Sequence, residues 1–239
     1  MRSTEAIDGG RRALVLADGS PPTRAGLDAA WPGWADGIDY VVAADGGARL
    51  AGPLGLRLDR WVGDGDSLPA TDLAALKAGG IPVDLVRQDK DESDTELAVL
   101  AAAAVAHDVT ILGALGGPRL DHTVANLSLL EHPALVGRAV RLLDDGSRVT
   151  VLHANAGAGD GTPVGRDLPG RVGDIVSLFP VGESVAGVTT EGLRYALRDE
   201  PLVAGPARGL SNVRVAASAR VSIRDGRLLI IETPATLSS

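Results

Sequence analysis

Two acidic segments carry the most distinctive chemistry in this sequence. Asp64 and Asp66 lie two positions apart in Gly63-Asp-Gly-Asp-Ser67. The segment 88–97 places further acids close together: Asp89, Asp91, Glu92 and Asp94. Carboxylates this close repel one another unless a cation or water screens them, and carboxylate oxygens suit Mg²⁺, which commonly bridges carboxylates to substrate phosphates. We predict a metal cluster of four aspartates: Asp64, Asp66, Asp91 and Asp94.

Each acidic segment also has a purely structural interpretation. Asp and Gly are ordinary turn residues, so a single loop of this kind is a turn more often than a metal site. Asp91 and Asp94 can cap the helix that we predict from Glu96 to Ala106, because short acids accept the free N–H groups of a first turn. A cap explains one acid but not the whole group, and the metal site is favoured because both acidic loops are present.

A repeating unit positions these loops: a short apolar run, a loop rich in Gly and Asp, and a segment able to form a helix. We predict these runs as strands: Ala13–Ala17, Tyr40–Ala44, Leu58–Val62, Val83–Val86 and Val109–Leu112. Strands that alternate with helices form a parallel sheet covered on both faces, and right-handed crossovers bring the carboxyl ends of the strands to one edge. Open α/β sheets bind ligands at that edge. The aspartates expected there are Asp45, Asp64, Asp66, Asp91, Asp94 and Asp121.

The sequence changes character after a helix that we predict from about Asp121 to Leu130. From Ala139 onward it offers short apolar pieces separated by Gly, Pro and Asp turns, which is typical of an antiparallel sheet or sandwich. Arg224-Asp-Gly-Arg227 contains the Asp-Gly pair of a tight hairpin. Residues 154–170 are predicted to form a long loop.

The predicted fold class is therefore α/β. Residues 1–145 form a Rossmann-like parallel sheet with helices on both faces, and residues 146–239 form a C-terminal antiparallel β-sandwich. The first ten residues carry acids and lack an apolar core, so we expect a loose tail there and not a signal peptide.

A glycine-rich segment before the second predicted helix offers a phosphate site. Gly113 to Asn126 contains three glycines and an arginine. Glycines let backbone N–H groups approach an anion, and a helix start attracts phosphate, although the pattern is neither a Walker P-loop nor Gly-x-Gly-x-x-Gly. Arg119 can grip a phosphate with its planar fork. Asp121 and His122 either contact a nucleotide or cap the helix, and the residues alone favour the cap.

Two further sites have alternative interpretations. Asp45-Gly-Gly47 follows a predicted strand and is either a nucleotide contact or a tight turn, and Lys90 either pairs with the acids or neutralises phosphate. No Gly-x-Ser-x-Gly elbow occurs, and no covalent nucleophile is indicated. The available chemistry is metal-assisted transfer of a phosphoryl-type group, in which positioning and charge neutralisation do most of the catalysis.

Composition excludes several classes of partner. Apolar residues make up 45% of the 239 residues, which supports a core, and the net charge of −8 argues against nucleic acid or an anionic membrane. No apolar run reaches the length of about 18 residues that a membrane helix needs. Cysteine is absent, which fits a reducing compartment, and we expect a cytoplasmic protein.

Five segments, in this order, resemble the motifs of the thiamine pyrophosphokinase family: Ala44–Ala48, Gly63–Ser67, Lys90–Leu97, Gly116–Asn126 and Gly209–Asn212. The resemblance runs from about residue 13 to residue 232. It implies an α/β nucleotide domain, a C-terminal β-sandwich and a homodimer that binds thiamine at the subunit interface. The implied reaction is that of ATP and thiamine, with Mg²⁺, to give AMP and thiamine diphosphate.

The resemblance also implies roles for individual residues. Mg²⁺ would lie at Asp64, Asp66, Asp91 and Asp94, of which Asp66, Asp91 and Asp94 would be catalytic. The residues around ATP would be Asp45, Gly46, Gly47, Lys90, Arg119, Asp121, His122 and Asn126. Thiamine would contact Ser211 and Asn212, and an aromatic ring stacked on thiamine would have to be Phe179, Tyr195 or one from the partner subunit.

Two other functions remain open from the sequence. A related diphosphokinase acting on a hydroxymethylpterin would share the metal and nucleotide loops but not the thiamine contacts. A non-catalytic nucleotide-binding module could use the same fold, although a pure binder has little need for so many repelling carboxylates.

Overall fold

The computed structural model describes residues 10–155 and 162–235. The predicted N-terminal tail lies outside the described residues except for Gly10, and residues 156–161 of the predicted long loop lie outside them too. The chain divides into two compact units, and the border falls between Asp145 and Gly146. No helix in the described ranges is long and apolar enough to cross a membrane.

The unit that ends at Asp145 contains the strands β1 Arg12–Leu16, β2 Ile38–Ala44, β3 Arg60–Gly63, β4 Val83–Leu85, β5 Asp108–Leu112 and β6 Ala139–Leu143. They form a parallel sheet in the order β6-β5-β1-β2-β3-β4. The α-helices are α1 Arg24–Ala30, α2 Ala51–Leu54, α3 Ala70–Ala78, α4 Asp94–Ala103 and α5 Leu120–Leu129, and short 3₁₀ helices span Asp45–Leu50 and Pro133–Leu135. The chain moves outward from β1 to β4 and then returns to place β5 on the other side of β1. The strand order therefore reverses between β1 and β5, where α/β sheets open a ligand crevice.

Both faces of this sheet are covered. Leu14 and Leu16 of β1 lie in a core with Leu27 of α1 and Leu54 of α2. The alternate side chains of β1 point to the opposite face, where α4 packs on β1 and β2. Ala98 and Ala102 of α4 are fully buried, and small residues of this kind allow a helix to lie close to a sheet. This arrangement confirms the predicted α/β class.

Strand β6 corrects one expectation. The short apolar run Val140–Leu143 lies within the predicted α/β range 1–145, but its pattern is typical of an antiparallel sheet; in the structure β6 pairs in parallel with β5, with Val109 opposite Val140 and Ile111 opposite Leu142. A short apolar strand carries no information on its direction. The connection from β5 to β6 contains α5, which is the kind of crossover that a parallel neighbour requires.

The unit that begins at Gly146 contains the strands β7 Arg148–Ala154, β8 Val164–Pro169, β9 Ile175–Pro180, β10 Ser184–Glu191, β11 Glu200–Val203, β12 Asn212–Val213, β13 Ser218–Ile223 and β14 Gly226–Thr233. Their pairing is antiparallel, in the orders β12-β9-β14-β7 and β11-β10-β13-β8. Val176 and Leu228 of one sheet share a fully buried core with Val188 and Val221 of the other. The shared core confirms the predicted β-sandwich.

Two local predictions in this unit are wrong. The hairpin at Arg224–Arg227 does not form, because β13 pairs with β10 and β8 while β14 pairs with β7 and β9. The Asp225-Gly226 pair instead carries the chain from one sheet to the other, with Gly226 at φ 97°. The predicted loop at 154–170 contains a strand, β8, whose register with β13 places Leu168 opposite Ala219.

Candidate active site

A cavity of about 460 Å³ is formed by the loops that follow β1, β2, β3 and β5, together with the first turn of α4 and the first two turns of α5. These loops all leave the carboxyl ends of parallel strands, as expected at a switch point. The residues singled out from the sequence that line it are Asp45, Asp64, Asp66, Asp94, Arg119, His122 and Asn126. Asp18 and Ser67 also line the cavity, and sequence reasoning missed both.

Three carboxylates from two loops form an acidic cluster within this cavity. One carboxylate oxygen of each of Asp45, Asp64 and Asp66 lies within 4.8 Å of the others. Asp64 and Asp66 follow β3, and the backbone N–H of Asp66 donates to Asp64 Oδ1 at 3.0 Å. The side chain of Asp66 is held on both oxygens, by the Ser67 hydroxyl at 2.9 Å and by Gln88 Nε2 at 3.2 Å.

Asp45 is the most constrained member of the cluster. Its residue is 6% exposed, and its Oδ1 atom is buried without a hydrogen-bond partner in the described structure. Its backbone lies at φ 41°, in the left-handed region that is costly for a residue with a side chain. The buried indole of Trp61 donates to the Asp45 carbonyl at 2.9 Å and helps to hold this conformation.

Within the cluster, the pKa values of Asp45 and Asp66 are shifted in opposite directions. Burial raises the pKa of Asp45, the Ser67 hydroxyl opposes that rise, and the nearby charges of Asp94, Asp66 and Asp64 add to it. The pKa of Asp66 is lowered, chiefly by its hydrogen bond from Ser67. An ionised Asp45 is therefore destabilised by its surroundings in a way that a bound cation would relieve.

Gly46 and Gly47 allow the Asp45 segment to lie against the end of β1. A Cβ atom at Gly47 would lie 2.1 Å from the Leu16 carbonyl oxygen, and one at Gly46 would lie 2.1 Å from Asp18 Oδ2. The contacts that these two glycines make are thus packing contacts within the unit. Their assignment to the nucleotide stays a prediction.

The second acidic segment divides at the start of α4. Ser93 is the N-cap, because its hydroxyl accepts the Glu96 N–H at 3.1 Å, so the expectation that an aspartate caps this helix is wrong. Asp94 in the first turn lines the cavity and pairs with Lys90, whose Nζ lies 3.1 Å from Asp94 Oδ1. Asp91 is exposed and is not among the lining residues, so its metal and catalytic roles stay predictions.

The loops after β1 and β5 are joined at the switch point. The N–H of Gly19 donates to the Gly113 carbonyl at 2.6 Å, and the N–H of Gly117 donates to the Ser20 hydroxyl at 2.8 Å. Gly116 and Gly117 both have positive φ, which turns their loop back along the cavity wall. Asn126 is buried and donates from Nδ2 to the Ala114 carbonyl at 2.8 Å, so it holds the loop from beneath.

The entrance to α5 also differs from the sequence expectation. The N-cap is Arg119 and has no side-chain cap, so neither Asp121 nor His122 fills the capping role that the residues favoured. Asp121 instead accepts from Arg119 Nε at 2.9 Å, and both side chains are exposed. The Arg119 guanidinium lowers the pKa of Asp121 to about 2.

This pair makes a direct prediction for Arg119→Gln. Without the guanidinium, the pKa of Asp121 should rise from about 2 towards the ordinary value of 3.8, as measured by carboxyl NMR titration. The pair contributes to stability above the unfolded value and loses that contribution as the pH falls through the folded value. Arg57→Gln, which removes the partner of Asp59 at 2.9 Å, is the matched control and should leave Asp121 unchanged.

The two residues singled out in the other unit lie at the start of β12. Ser211 is exposed and has φ 56°, and its N–H donates to the Ser177 hydroxyl at 3.0 Å. Asn212 is 6% exposed, and its amide hydrogen-bonds the main chain of Tyr195. The structure therefore presents Ser211 to solvent and buries Asn212.

The residues that sequence reasoning missed had recognisable signals. Asp18 begins an Asp-Gly pair two residues after the end of β1, and the pairing of Leu16 with Ala43 makes its position in the sheet register equivalent to that of Asp45. Ser67 and Gln88 each adjoin an acidic segment, but their hydrogen bonds to Asp66 depend on how the two loops meet. The fold and cavity together define an α/β protein with a C-terminal β-sandwich and an acidic pocket at the switch point, suited to a phosphate ligand that brings a divalent cation.

Comparison with known proteins identifies the family. Residues 34–141 match the model of the thiamin pyrophosphokinase catalytic domain, and residues 167–228 match that of the thiamin pyrophosphokinase vitamin B1 binding domain. The thiamine pyrophosphokinase of Bacillus subtilis (strain 168) is 22% identical over 171 residues, which are 72% of this chain and 76% of that protein. The chain belongs to the thiamine pyrophosphokinase family and is an enzyme.

Solved structures agree with this assignment. The crystal structure of thiamin pyrophosphokinase from Geobacillus thermodenitrificans has a TM-score of 0.74 at 27% identity, covering 93% of this chain and 97% of that one. The thiamin pyrophosphokinase from Candida albicans has a TM-score of 0.73 over 93% of this chain and 90% of that one. At 14% identity the fungal enzyme supports the fold alone.

Proposed function

We propose that this enzyme transfers the diphosphate group of ATP to the hydroxyl of thiamine and releases AMP and thiamine diphosphate, with Mg²⁺ as the cation. The observation that carries the proposal is the convergence of Asp45, Asp64 and Asp66 in a cavity at the switch point, in a member of this family. The family models matched by the two units are those of a catalytic and a vitamin B1 binding domain, which supports ATP and thiamine as the substrates.

The residues of the cluster fit a divalent cation. Their oxygens approach within 4.8 Å of one another, and the buried Asp45 Oδ1 has no hydrogen-bond partner in the described structure. All three ligands are oxygen atoms, as Mg²⁺ prefers. Asp45, Asp64 and Asp66 would hold the ion, with Asp94 beside them and Asp91 retained from the sequence prediction. When bound, Mg²⁺ would neutralise charge on the reacting phosphates.

The nucleotide would lie against the glycine-rich loop. Gly116 and Gly117 place main chain on the cavity wall, and Arg119 and His122 line the same cavity, where cationic or N–H donors can receive phosphate oxygens. Lys90 is paired with Asp94 and balances charge beside the cluster. Because the pocket is acidic, a nucleotide would enter with its own cation.

The reaction is an in-line displacement at the β-phosphorus. The thiamine hydroxyl oxygen forms a bond to that phosphorus, and the bond from the phosphorus to the oxygen that bridges it to the α-phosphate breaks. AMP leaves with the electron pair of the broken bond. The hydroxyl proton passes to a carboxylate of the α4 entrance, Asp94 or Asp91, which also orients the attacking oxygen.

Thiamine would bind to the unit that begins at Gly146. Ser211, exposed in a fixed left-handed conformation, and Asn212 belong to the segment assigned to it. We propose that the active site is completed in a homodimer, at the interface between subunits, where this unit presents thiamine.

A turnover assay tests the proposal. Protein incubated with ATP, thiamine and Mg²⁺ should release AMP and thiamine diphosphate in equal amounts, and chelation of the metal should stop both. AMP release with a hydroxymethylpterin but none with thiamine would show the related diphosphokinase. Binding of ATP without AMP release from either alcohol would favour a non-catalytic module.

A further inference from the structure

The side-chain amide of Asn212 makes most of its possible hydrogen bonds within its own unit. Its Oδ1 accepts the N–H of Tyr195 and the N–H of Val213, each at 2.9 Å, and its Nδ2 donates to the Tyr195 carbonyl at 2.7 Å. An asparagine amide can make about four hydrogen bonds, so only one N–H is left. Asn212 is also 6% exposed, which leaves little surface for a substrate.

The amide of Asn212 continues a short ladder between two segments. The N–H of Val215 donates to the Gly192 carbonyl at 2.9 Å, and the N–H of Arg194 donates to the Val213 carbonyl at 2.8 Å. The next pairing, at Tyr195, uses the Asn212 side chain, because the Asn212 main chain pairs with Val176 of β9. The side-chain amide of Asn212 offers an acceptor and a donor, as a peptide group does. It therefore pairs with both the N–H and the carbonyl of Tyr195.

The residue fixed in this way carries an exposed aromatic ring. Tyr195 is 64% exposed, although its main chain is bound on both sides by a buried amide. Ser211, the neighbour of Asn212, is exposed as well and is held at φ 56° with its N–H on Ser177. Asn212 is therefore connected to two exposed residues: its side chain is hydrogen-bonded to the main chain of Tyr195, and it directly follows Ser211 in the sequence.

The segment that carries Ser211 and Asn212 is held by further hydrogen bonds. The N–H of Leu178 in β9 donates to the Gly209 carbonyl at 2.9 Å. Two residues after Asn212, Arg214 is 1% exposed and donates from one guanidinium nitrogen to Glu232 at 2.9 Å. A buried charge pair of this kind is costly to disrupt. The segment from Gly209 to Arg214 is thus anchored on both sides of Asn212.

We propose that Asn212 is a positioning residue for thiamine and makes no contact with it. Its amide holds the Tyr195 main chain so that the Tyr195 ring, together with the Ser211 hydroxyl, meets the substrate. This inference rests on the proposed function of the protein. It differs from the direct contact implied by the family resemblance, because Oδ1 and one Nδ2 hydrogen of Asn212 are already hydrogen-bonded to Tyr195 and Val213 and the residue is buried.

A double-mutant cycle between Asn212 and Tyr195 tests this role. We expect Asn212→Ala and Tyr195→Ala each to raise KM for thiamine about tenfold, with kcat and KM for ATP changing less than about threefold. If Asn212 acts through Tyr195, the double variant should also show about a tenfold increase. An increase of about 100-fold, the product of two independent effects, would overturn the proposal, as would an unchanged KM in Asn212→Ala.

Two further variants separate positioning from folding. Thr190→Val removes another buried side-chain bond to the main chain of this unit, from the Leu197 N–H at 2.9 Å, and should lower Tm while leaving KM for thiamine within about twofold. Asn212→Asp keeps the two accepted bonds and loses the bond to the Tyr195 carbonyl. It should raise KM for thiamine only when Tyr195 is present, and it serves as the second variant if Asn212→Ala fails to fold.

The cycle is run only after wild-type turnover is measured. A wild-type protein that makes no thiamine diphosphate would refute the proposed function itself. Wild-type turnover with independent effects at Asn212 and Tyr195 would refute only the positioning role.

Discussion

Asp66→Asn should abolish turnover, with a fall in kcat on the order of 10³-fold, while leaving the fold intact. Asp66 lies in the acidic cluster, where its carboxylate oxygens are held by Ser67 and Gln88 and point towards Asp45 and Asp64. The substitution preserves shape but removes one of the negative charges that would hold the cation. Repulsion from Asp45 and Asp64 is relieved, while the hydrogen bond from Ser67, which lowers the pKa of Asp66 by favouring its charge, is weakened, so the free energy of unfolding should change little.

The matched control is Asp89→Asn, which removes the same charge from a side chain that is 100% exposed. We expect this variant to keep wild-type kcat. The measurement is AMP release at saturating ATP and thiamine over a range of Mg²⁺ concentrations, with thermal unfolding followed in parallel. Equal activity in Asp66→Asn and Asp89→Asn would contradict the metal role. Unchanged activity in Asp91→Asn would remove Asp91 from the predicted metal set.

The architecture of the first unit was predictable because its signals repeat. An apolar run followed by a Gly/Asp loop recurs from β1 to β5, and alternation with helices is sufficient to require a parallel sheet. Direction and partner were not predictable for single short strands. The strand β6 has the same composition as the strands of the sandwich, and the Asp-Gly pair at the start of β14 has the composition of a hairpin turn, because local composition does not determine which sheet a strand joins.

The site was predictable as a region but not in its details. Acids at the ends of parallel strands could be expected near one edge, and the structure places Asp45, Asp64, Asp66 and Asp94 around one cavity. Which acid faces inward depends on single hydrogen bonds. Ser93 is the N-cap of α4, and Asp94 lies in the first turn, where it pairs with Lys90. The spacing of the acids in the sequence does not distinguish this arrangement from one in which Asp91 is the N-cap.

Asp45→Asn should produce opposite effects on activity and stability. The carboxylate of Asp45 is buried, its Oδ1 has no hydrogen-bond partner in the described structure, and burial raises its pKa. At neutral pH without Mg²⁺, the variant should be more stable than the wild type by roughly 1 kcal/mol, because an imperfectly satisfied charge is replaced by a neutral amide. Asparagine also tolerates the left-handed backbone at φ 41°. Turnover should fall at least about 100-fold, because the variant lacks a ligand of the cation.

The pH dependence of this stability difference follows from the direction of the pKa shift. A carboxyl group whose pKa is higher in the folded state than in the unfolded state favours folding when protonated. The free-energy cost of burying the charged Asp45 side chain is absent at low pH. It develops as the pH rises above the ordinary pKa of 3.8 and is complete above the raised pKa of the folded state. The advantage of Asp45→Asn should therefore shrink as the pH is lowered towards 4. Urea unfolding of both proteins across this range measures it.

Added Mg²⁺ should reverse the order of stability. A ligand that binds only the folded state stabilises it more when it binds more tightly. Mg²⁺ should therefore raise the free energy of unfolding of the wild type more than that of Asp45→Asn. Asp174→Asn is a control for which the opposite effect on stability is expected. Asp174 is as buried as Asp45, but its carboxylate accepts hydrogen bonds from the N–H groups of Arg171 at 2.7 Å and Ala235 at 2.9 Å. Loss of its charge should therefore destabilise the protein. A wild type that is more stable than Asp45→Asn without Mg²⁺ would mean that Asp45 has a partner in solution, and the main reason for placing a cation beside it would be lost.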